Sequence, residues 1–396
     1  MTSSSPESFD RRFVFLLVAQ AGFGFSHSSF MMLPKFLATQ LAAGPAEIGA
    51  VVAASAISMV VFLVPAGSLV DRHGRKRFLV GGAALMAVSS AAYVAIDAIG
   101  PALYALRIVQ SIAFAAAWTA GAALCVDAAP PRRVGQAIGL FGLAYVFMGA
   151  FAPATVEAVV AASGWDVAFV IAACAAAFCA GLSLFVREAP LDRASTPHVP
   201  LGSILRREEM FVAILVIGLL GVAYGCVVNF HQPYALRLGI RELRIFFIAN
   251  ACTAAAARLI LGPWLDRIGL RRVALASLAL YTLVVLSMAW LDRLGLLVIG
   301  LGLGLAHGLF YPAWSGVVLE DCPPAERGRR MALVQAGLNV GIGLGGLALG
   351  HVAAEHGYPP IFALAASGLV LAGLLVAREA ARARRRIEAV AAGGGL

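Results

Sequence analysis

Apolar residues in this chain do not alternate with polar ones. They run on in long stretches separated by short polar intervals, at 13–36, 46–69, 78–97, 101–125, 135–158, 166–186, 210–235, 245–264, 273–291, 294–319, 330–353 and 359–377. A helix of about 20 residues crosses the hydrocarbon of a bilayer. The stretches are about twice the length of a barrel strand and lack its alternation of lipid-facing and lumen-facing positions. Backbone groups in hydrocarbon must bond to one another, so the pattern predicts twelve transmembrane helices and an all-α membrane protein. The first stretch follows Arg11 and Arg12, outruns a signal-peptide core and ends without a clear cleavage site, so it is expected to be the first span.

Composition sharpens this reading. Apolar residues make up 61% of the 396 and charged residues only 13%, against about 25% charged in soluble domains. The formal charge of +9 does not point to nucleic acid, because the cations bunch in the polar intervals and in a basic tail, Arg382, Arg384, Arg385 and Arg386. With both termini placed inside, the inner intervals hold 23 Lys and Arg, and the outer ones hold only Lys35, Arg237, Arg241, Arg244 and Arg293. Inner loops carry the excess of positive charge, so the expected topology is N-in and C-in. The longest polar interval, 187–209, is rich in Pro and charge and reads as a linker. It separates a first six-helix unit, 1–186, from a second, 210–377, with a basic tail at 378–396. The six cysteines show no metal-binding spacing and read as small apolar packers.

The two units are copies. Residues 67–77 and 262–272 share the frame G-x-x-x-D-R-x-G-x-(K/R)-R, with Asp266 lying 195 positions after Asp71. A second pair, Asp127-Ala-Ala-Pro-Pro-Arg-Arg-Val-Gly and Asp321-Cys-Pro-Pro-Ala-Glu-Arg-Gly, recurs at an offset of 194. Two motifs in one register indicate duplication of a six-span unit.

On these residues the chain resembles the major facilitator superfamily along essentially its whole length, and within it the bacterial twelve-span efflux-type members. The family's loop motif between spans two and three is matched at Gly67, Asp71, Arg72, Gly74, Arg75 and Lys76, and again at Gly262, Asp266, Arg267, Gly269 and Arg271. Its fourth-span motif, Arg-x-x-Gln-Gly, is matched by Arg107-Ile-Val-Gln110, with Ser111 in place of the glycine. Gly164, Trp165 and Phe169 open span six in the family manner, whereas the antiporters' Gly-Pro motif of span five survives only as Gly149-Ala-Phe-Ala-Pro153. The resemblance implies two bundles rocking about a central site. It gives Gly67, Asp71, Arg72, Gly74, Arg75, Asp127, Gly262, Asp266, Arg267, Gly269 and Asp321 the part of a cytoplasmic gate. Asp71 is expected near the positive N-terminus of span eleven and Arg132 or Arg133, and the small Gly67 and Gly262 at close helix approaches.

Polar groups at membrane depth are costly and mark function. Arg107, Gln110, Ser111 and Trp118 share one face of span four. Arg107 is a candidate either for contacting an anionic group or for biasing a proton carrier. Gln20, His27 and Met31 recur along span one, Tyr224 and His231 along span seven, and His307, Tyr311 and Trp314 along span ten. Spans one, four, seven and ten are the cavity-lining set of the family, so all of these are expected to bind substrate. His27, Arg107 and Glu157 are the proton-coupling candidates, and Arg258 in span eight is a further buried cation. The run Gly341-Ile-Gly343-Leu-Gly345-Gly346 lacks the Lys-Ser/Thr of a nucleotide loop and reads as helix packing.

The expected function is therefore a secondary transporter of a bacterial inner membrane, not an enzyme. It is expected to move a small organic solute, with proton-coupled efflux as the leading mode, as a monomer without cofactor, resident metal or nucleic acid. Import of a nutrient or of a metal such as copper is the alternative, motivated by His27 with Met31 and Met32. A transport-like sensor without flux is a third reading. Replacement of Asp71 by Ala is expected to abolish or strongly reduce flux while membrane insertion is retained; normal flux would remove the gating role of this loop.

Overall fold

The computed structural model describes residues 9–130, 133–186, 188, 201–261, 265–323 and 326–393. Twelve helices long and apolar enough to span a membrane account for most of them, and no strand occurs among the described residues. They are α1 (Arg11–Gln40, with a 3-10 turn at Phe30–Met32), α2 (Pro45–His73), α3 (Arg75–Ala92), α4 (Pro101–Asp127), α5 (Val134–Ser163) and α6 (Trp165–Ser183) in the first half. The second half holds α7 (Glu208–Arg237), α8 (Arg244–Ala256, continued by a π turn at Ala257–Leu261), α9 (Leu270–Ser287), α10 (Arg293–Leu319), α11 (Arg327–His356) and α12 (Pro359–Gly393).

Local chemistry sets the helix ends. Pro45 and Pro101 occupy the first turns of α2 and α4, where a missing N–H costs nothing. Asp292 caps α10 by accepting from the Gly295 amide at 2.5 Å. Gly74 stops α2 with φ +101° and Gly269 precedes α9 with φ +96°, a backbone region that side chains disfavour. The repeated glycine of the Asp-Arg-x-Gly frame is thus a helix break. Asp71 and Arg72 lie in the last turn of α2 rather than in a loop. Gly164 and Gly357 form a third related pair, with φ +88° and +81°. They introduce Trp165 and Phe169 in α6, and Tyr358 and Phe362 at α12. Helix α12 continues to Gly393, well past the apolar limit at 377, so the first part of the expected basic tail is helical. Most of the 187–209 linker lies outside the described residues.

Within the first half α4 packs on α2 and α3, α6 packs on α1 and α3, and α5 packs on α1. In the second, α10 packs on α8 and α9, and α7 packs on α11 and α12. The halves meet extensively along two crossings, α2 with α11 and α5 with α8, which the repeat exchanges for one another.

Glycines make the α11 crossings possible. A Cβ on Gly341 would overlap the Gly218 carbonyl of α7, and one on Gly345 would press on Val222. Around the same helix, Gly343, Gly346 and Gly350 face Ala56, Val52, Gly49 and Pro45 of α2. One stripe therefore serves two partners, the small-residue packing that lipid favours. Around Gly67, by contrast, there is open space, so this conformation has no close helix approach there. Gly341→Val is expected to lower the melting temperature of the purified protein in detergent, with an overpacking cost of about 1–3 kcal/mol. Gly67→Ala is expected to leave it unchanged.

Candidate functional site

The first wall of the site stands on α1, α4 and α5. Arg107 donates from Nη1 to Gln110 Oε1 at 2.9 Å, and the same oxygen accepts from the Tyr93 hydroxyl at 3.3 Å. Two donors fix the orientation of the amide. The Nε2 of Gln110 and the Nε of Arg107 meet no acceptor. His27 Nδ1 lies 3.1 Å from the Tyr145 hydroxyl, and the His27 ring lies 4.3 Å from that of Phe114. Phe114, Trp118 and Tyr145 continue an aromatic surface with centroid separations of 5.6 and 4.8 Å. The charge of Arg107 reaches both His27 and Tyr93. Gln20 is buried beside Gly121, with neither amide atom partnered.

The second wall stands on α7, α8 and α10. Tyr224 stacks on His307 at 4.7 Å, and His307 Nδ1 lies 3.4 Å from the Tyr281 hydroxyl. Tyr311 donates to Gln335 Oε1 of α11 at 2.8 Å. The charge of Arg258 reaches Tyr224, His307 and Tyr311. Arg258 rides on the π turn of α8, a local widening often found where a side chain is aimed at a site. Its Nε has no acceptor. Tyr145 of the first wall and Tyr224 of the second lie near each other across the interface.

At one end of the bundle the halves are tied by a polar cluster around Glu157, a buried acid of α5. Its Oε1 accepts from Lys35 Nζ at 2.5 Å, and its two oxygens accept from the Leu243 amide at 2.9 Å. The Arg244 amide donates to Oε2 at 2.6 Å. The carboxylate therefore caps the N-terminus of α8, where the helix dipole favours negative charge. Lys35 Nζ also donates to the Arg241 carbonyl at 2.8 Å. Beside it, the Gln232 amide of α7 enters α1 at its 3-10 turn, donating to Met31 O at 2.7 Å and accepting from Lys35 N at 3.2 Å. In an unbroken α-helix those two backbone groups would bond to each other. A side chain of one half thus completes a helix of the other.

At the opposite end, ion pairs tie helix ends within each half. Arg75 pairs with Asp127 and, at 3.3 Å, with Asp71, whose side chain is 61% exposed. Glu188 caps α3 by accepting from the Arg75 amide at 2.6 Å. In the second half Arg271 pairs with Glu320 at 2.6 Å, the repeat counterpart of Arg75 with Asp127, displaced by one residue at Asp321 and Leu270. Arg207 holds Glu326 through two bonds of 2.8 and 2.9 Å and, with Arg330, keeps that carboxyl below its ordinary range. A cavity of about 620 Å³ within the second half is lined by Arg207, Arg271, Trp314, Glu320, Asp321 and Arg330, among others.

The substrate-site residues expected from the sequence are therefore distributed unevenly. His27, Arg107 and Gln110 come together on one wall, and Tyr224, His307 and Tyr311 on the other. His231 packs instead between α7 and α8 against Phe246 and Phe247, with Nδ1 2.9 Å from Val227 O. Trp314 is buried in the second half and donates to Ala213 O. Met31 takes part through its carbonyl. Among the gating residues, Arg72 is exposed, Asp321 sits at a turn with φ +54°, Arg267 ends the short helix Leu265–Ile268, and Gly262 with the side chain of Asp266 lies outside the described part. Sequence reasoning missed Tyr145, Gln232 and Lys35 as partners. Lys35 was marked out only by being one of two lysines in the chain.

Comparison with known proteins agrees with this architecture. The family model described as Major Facilitator Superfamily matches residues 14–256 and 234–393. A gallate transporter of Pseudomonas putida is 30% identical over 122 residues, 31% of this chain and 27% of that protein. The uncharacterized MFS-type transporter YhhS of Escherichia coli (strain K12) is 25% identical over 183 residues, 45% and 44% of the two chains. The matched stretches thus span less than half the length of these curated relatives. Among solved structures, the nucleoside transporter NupG superposes with a TM-score of 0.78 at 15% identity, covering 93% of this chain and 99% of that one.

The cluster at Glu157 makes a thermodynamic prediction. Removing one member of a buried pair leaves an uncompensated charge, at a cost of about 3–5 kcal/mol. Lys35→Met and Glu157→Leu are each expected to lower the melting temperature more than the double replacement does. Additive losses would show that the two charges are not coupled.

Proposed function

The chain belongs to the major facilitator superfamily, and from that premise we propose that it exports a small organic solute across a bacterial inner membrane in exchange for protons. That it is a secondary transporter follows from the family; solute, direction and coupling are our reading. The observation that carries the reading is the pairing of a polar, aromatic interface between the halves with a cluster that ties the halves together at the Glu157 end. A site reachable from one side, between two bundles related by a repeat, is the requirement of alternating access. With the N-terminus inside, as the distribution of Lys and Arg favours, the Lys35 and Glu157 cluster lies on the outer face and this conformation opens inward. Asp71, exposed here, is then free to engage the first turn of α11 when the inner side closes. The partial similarity to a gallate transporter favours a small aromatic acid as the class of solute.

Protons act on this device at Glu157. Its carboxylate binds Lys35 and two amides of the other half at once. A neutral acid would lose the ion pair and most of its attraction for the α8 N-terminus, releasing the outer gate. Arg241, Glu242 and Arg244 on the facing segment complete the charged surroundings. His27, hydrogen-bonded to Tyr145 inside the site, is the second candidate carrier, and Arg107 is placed to bias it. Import of a metal finds less support, because Met32 is fully buried in the core and Met31 is engaged through its carbonyl by Gln232, while His27 meets Tyr145.

In proteoliposomes, solute flux is expected to accelerate under an imposed pH gradient. Glu157→Gln is expected to keep solute exchange but to lose that acceleration. If Glu157→Gln responds to the gradient as the unmodified protein does and His27→Gln does not, the proton site is His27. If deletion of the gene raises sensitivity to no compound and cells instead lose uptake of a nutrient, export is wrong.

A further inference from the structure

We infer that the solute is an organic anion with a flat, aromatic body, its negative charge answered by the arginines that lack an acid on the two walls, Arg107 of the first half and Arg258 of the second. The inference rests on the transporter reading and names the substrate class of that same site. Both arginines lie at membrane depth, on opposite walls. Each is partly exposed, each has a buried Nε without an acceptor, and neither forms an ion pair with an Asp or Glu among the described residues. The one buried acid of the spans, Glu157, is occupied by Lys35 and the α8 N-terminus. The site therefore carries two positive charges with no protein anion to answer them.

Uncompensated cations in a low-dielectric setting are retained where something else supplies the countercharge. Arg107 Nε, Gln110 Nε2 and Arg258 Nε are unpartnered donors, and Gln20 leaves one donor and one acceptor open, so the balance of the site is toward donors. A carboxylate offers two acceptor oxygens and matches a guanidinium in geometry. A neutral solute would leave both charges unanswered, and a cationic one would be repelled by them. Around the arginines the surface is aromatic: His27, Phe114 and Tyr145 on one wall, Tyr224, His307 and Tyr311 on the other. Such faces suit a flat ring better than a sugar, which would need a network of paired hydroxyl partners.

The test uses the full-length protein in nanodiscs with matched triplets of ligands: a carboxylate, its amide and its amine on benzene, naphthalene and phenylpropyl skeletons. Thermal stabilisation and quenching of tryptophan fluorescence give affinity, and counterflow in proteoliposomes gives transport. Carboxylates alone are expected to bind and exchange. Arg107→Gln and Arg258→Gln are each expected to weaken their affinity at least tenfold, with Arg107→Lys and Arg258→Lys recovering part of it. The melting temperature of each ligand-free variant shows that the fold is intact, and the Lys variants carry the test if a Gln variant does not fold. Amides or amines that bind as well as carboxylates overturn the inference, as do carboxylates whose affinity ignores both arginines, or a panel in which no carboxylate binds. If amides or amines also exchange across the membrane, transport stands and only the charge assignment falls. If carboxylates bind through the arginines but none moves, the anion site stands and the transport reading falls.

Discussion

Hydrocarbon offers neither hydrogen bonds nor screening, so every charge or amide that enters it must be answered by another group. Much of this molecule follows from that demand. The backbone answers itself within twelve helices. Where α1 breaks its own ladder at Phe30–Met32, Gln232 reaches over from the other half to fill the gap. Where α8 begins inside the protein, Glu157 meets its first amides, and Lys35 meets Glu157. Each local need is met across the boundary between the halves, so satisfying the backbone and joining the halves are one act. Arg107 and Arg258 are left without an acid among the described residues, and Gln20 without a partner for its amide.

The duplication extends further than the Asp-Arg-x-Gly frame. Gly74 and Gly269 break the chain alike, and so do Gly164 and Gly357. Arg75 with Asp127 and Arg271 with Glu320 tie corresponding helix ends, although in the second half both partners have slipped by one position. The helix-end architecture has been kept, while the residue that supplies a given charge has moved to its neighbour. The end around Glu157 shows no such copy: its acid, lysine and glutamine come from α5, α1 and α7, so the closed gate is built asymmetrically on a symmetric frame.

How much of this was legible in the sequence follows from range. Spans and repeat rest on local runs and a fixed offset, and all twelve spans are present as helices, α12 running past its apolar limit. The aromatic and cationic residues on α1, α4, α7 and α10 were visible as stripes of one helix, and some of them meet within a wall, Arg107 with Gln110 and Tyr224 with His307. His231 departs from the stripe because a helical stripe does not say which neighbour it meets, and its neighbours are Phe246 and Phe247, while Trp314 bonds Ala213 and lines the end cavity. The Glu157 cluster was invisible as a unit. The partners of Glu157 lie 86 to 122 residues from it, and two of its three donors are backbone amides, which a sequence does not distinguish.

The glycine stripe of α11 bears on how such a molecule moves. Toward α7 the glycines sit in the packing of one rigid half, but toward α2 they face a helix of the other half across Gly49, Val52 and Ala56. Side chains that interlock must be lifted out of their grooves before two helices turn against each other. Here few side chains are long enough to interlock. The α2 crossing is a plain bearing, a pair of smooth surfaces that stay in van der Waals contact throughout a rotation, so that the work of switching is concentrated in the polar groups at the ends and little is lost to friction in between.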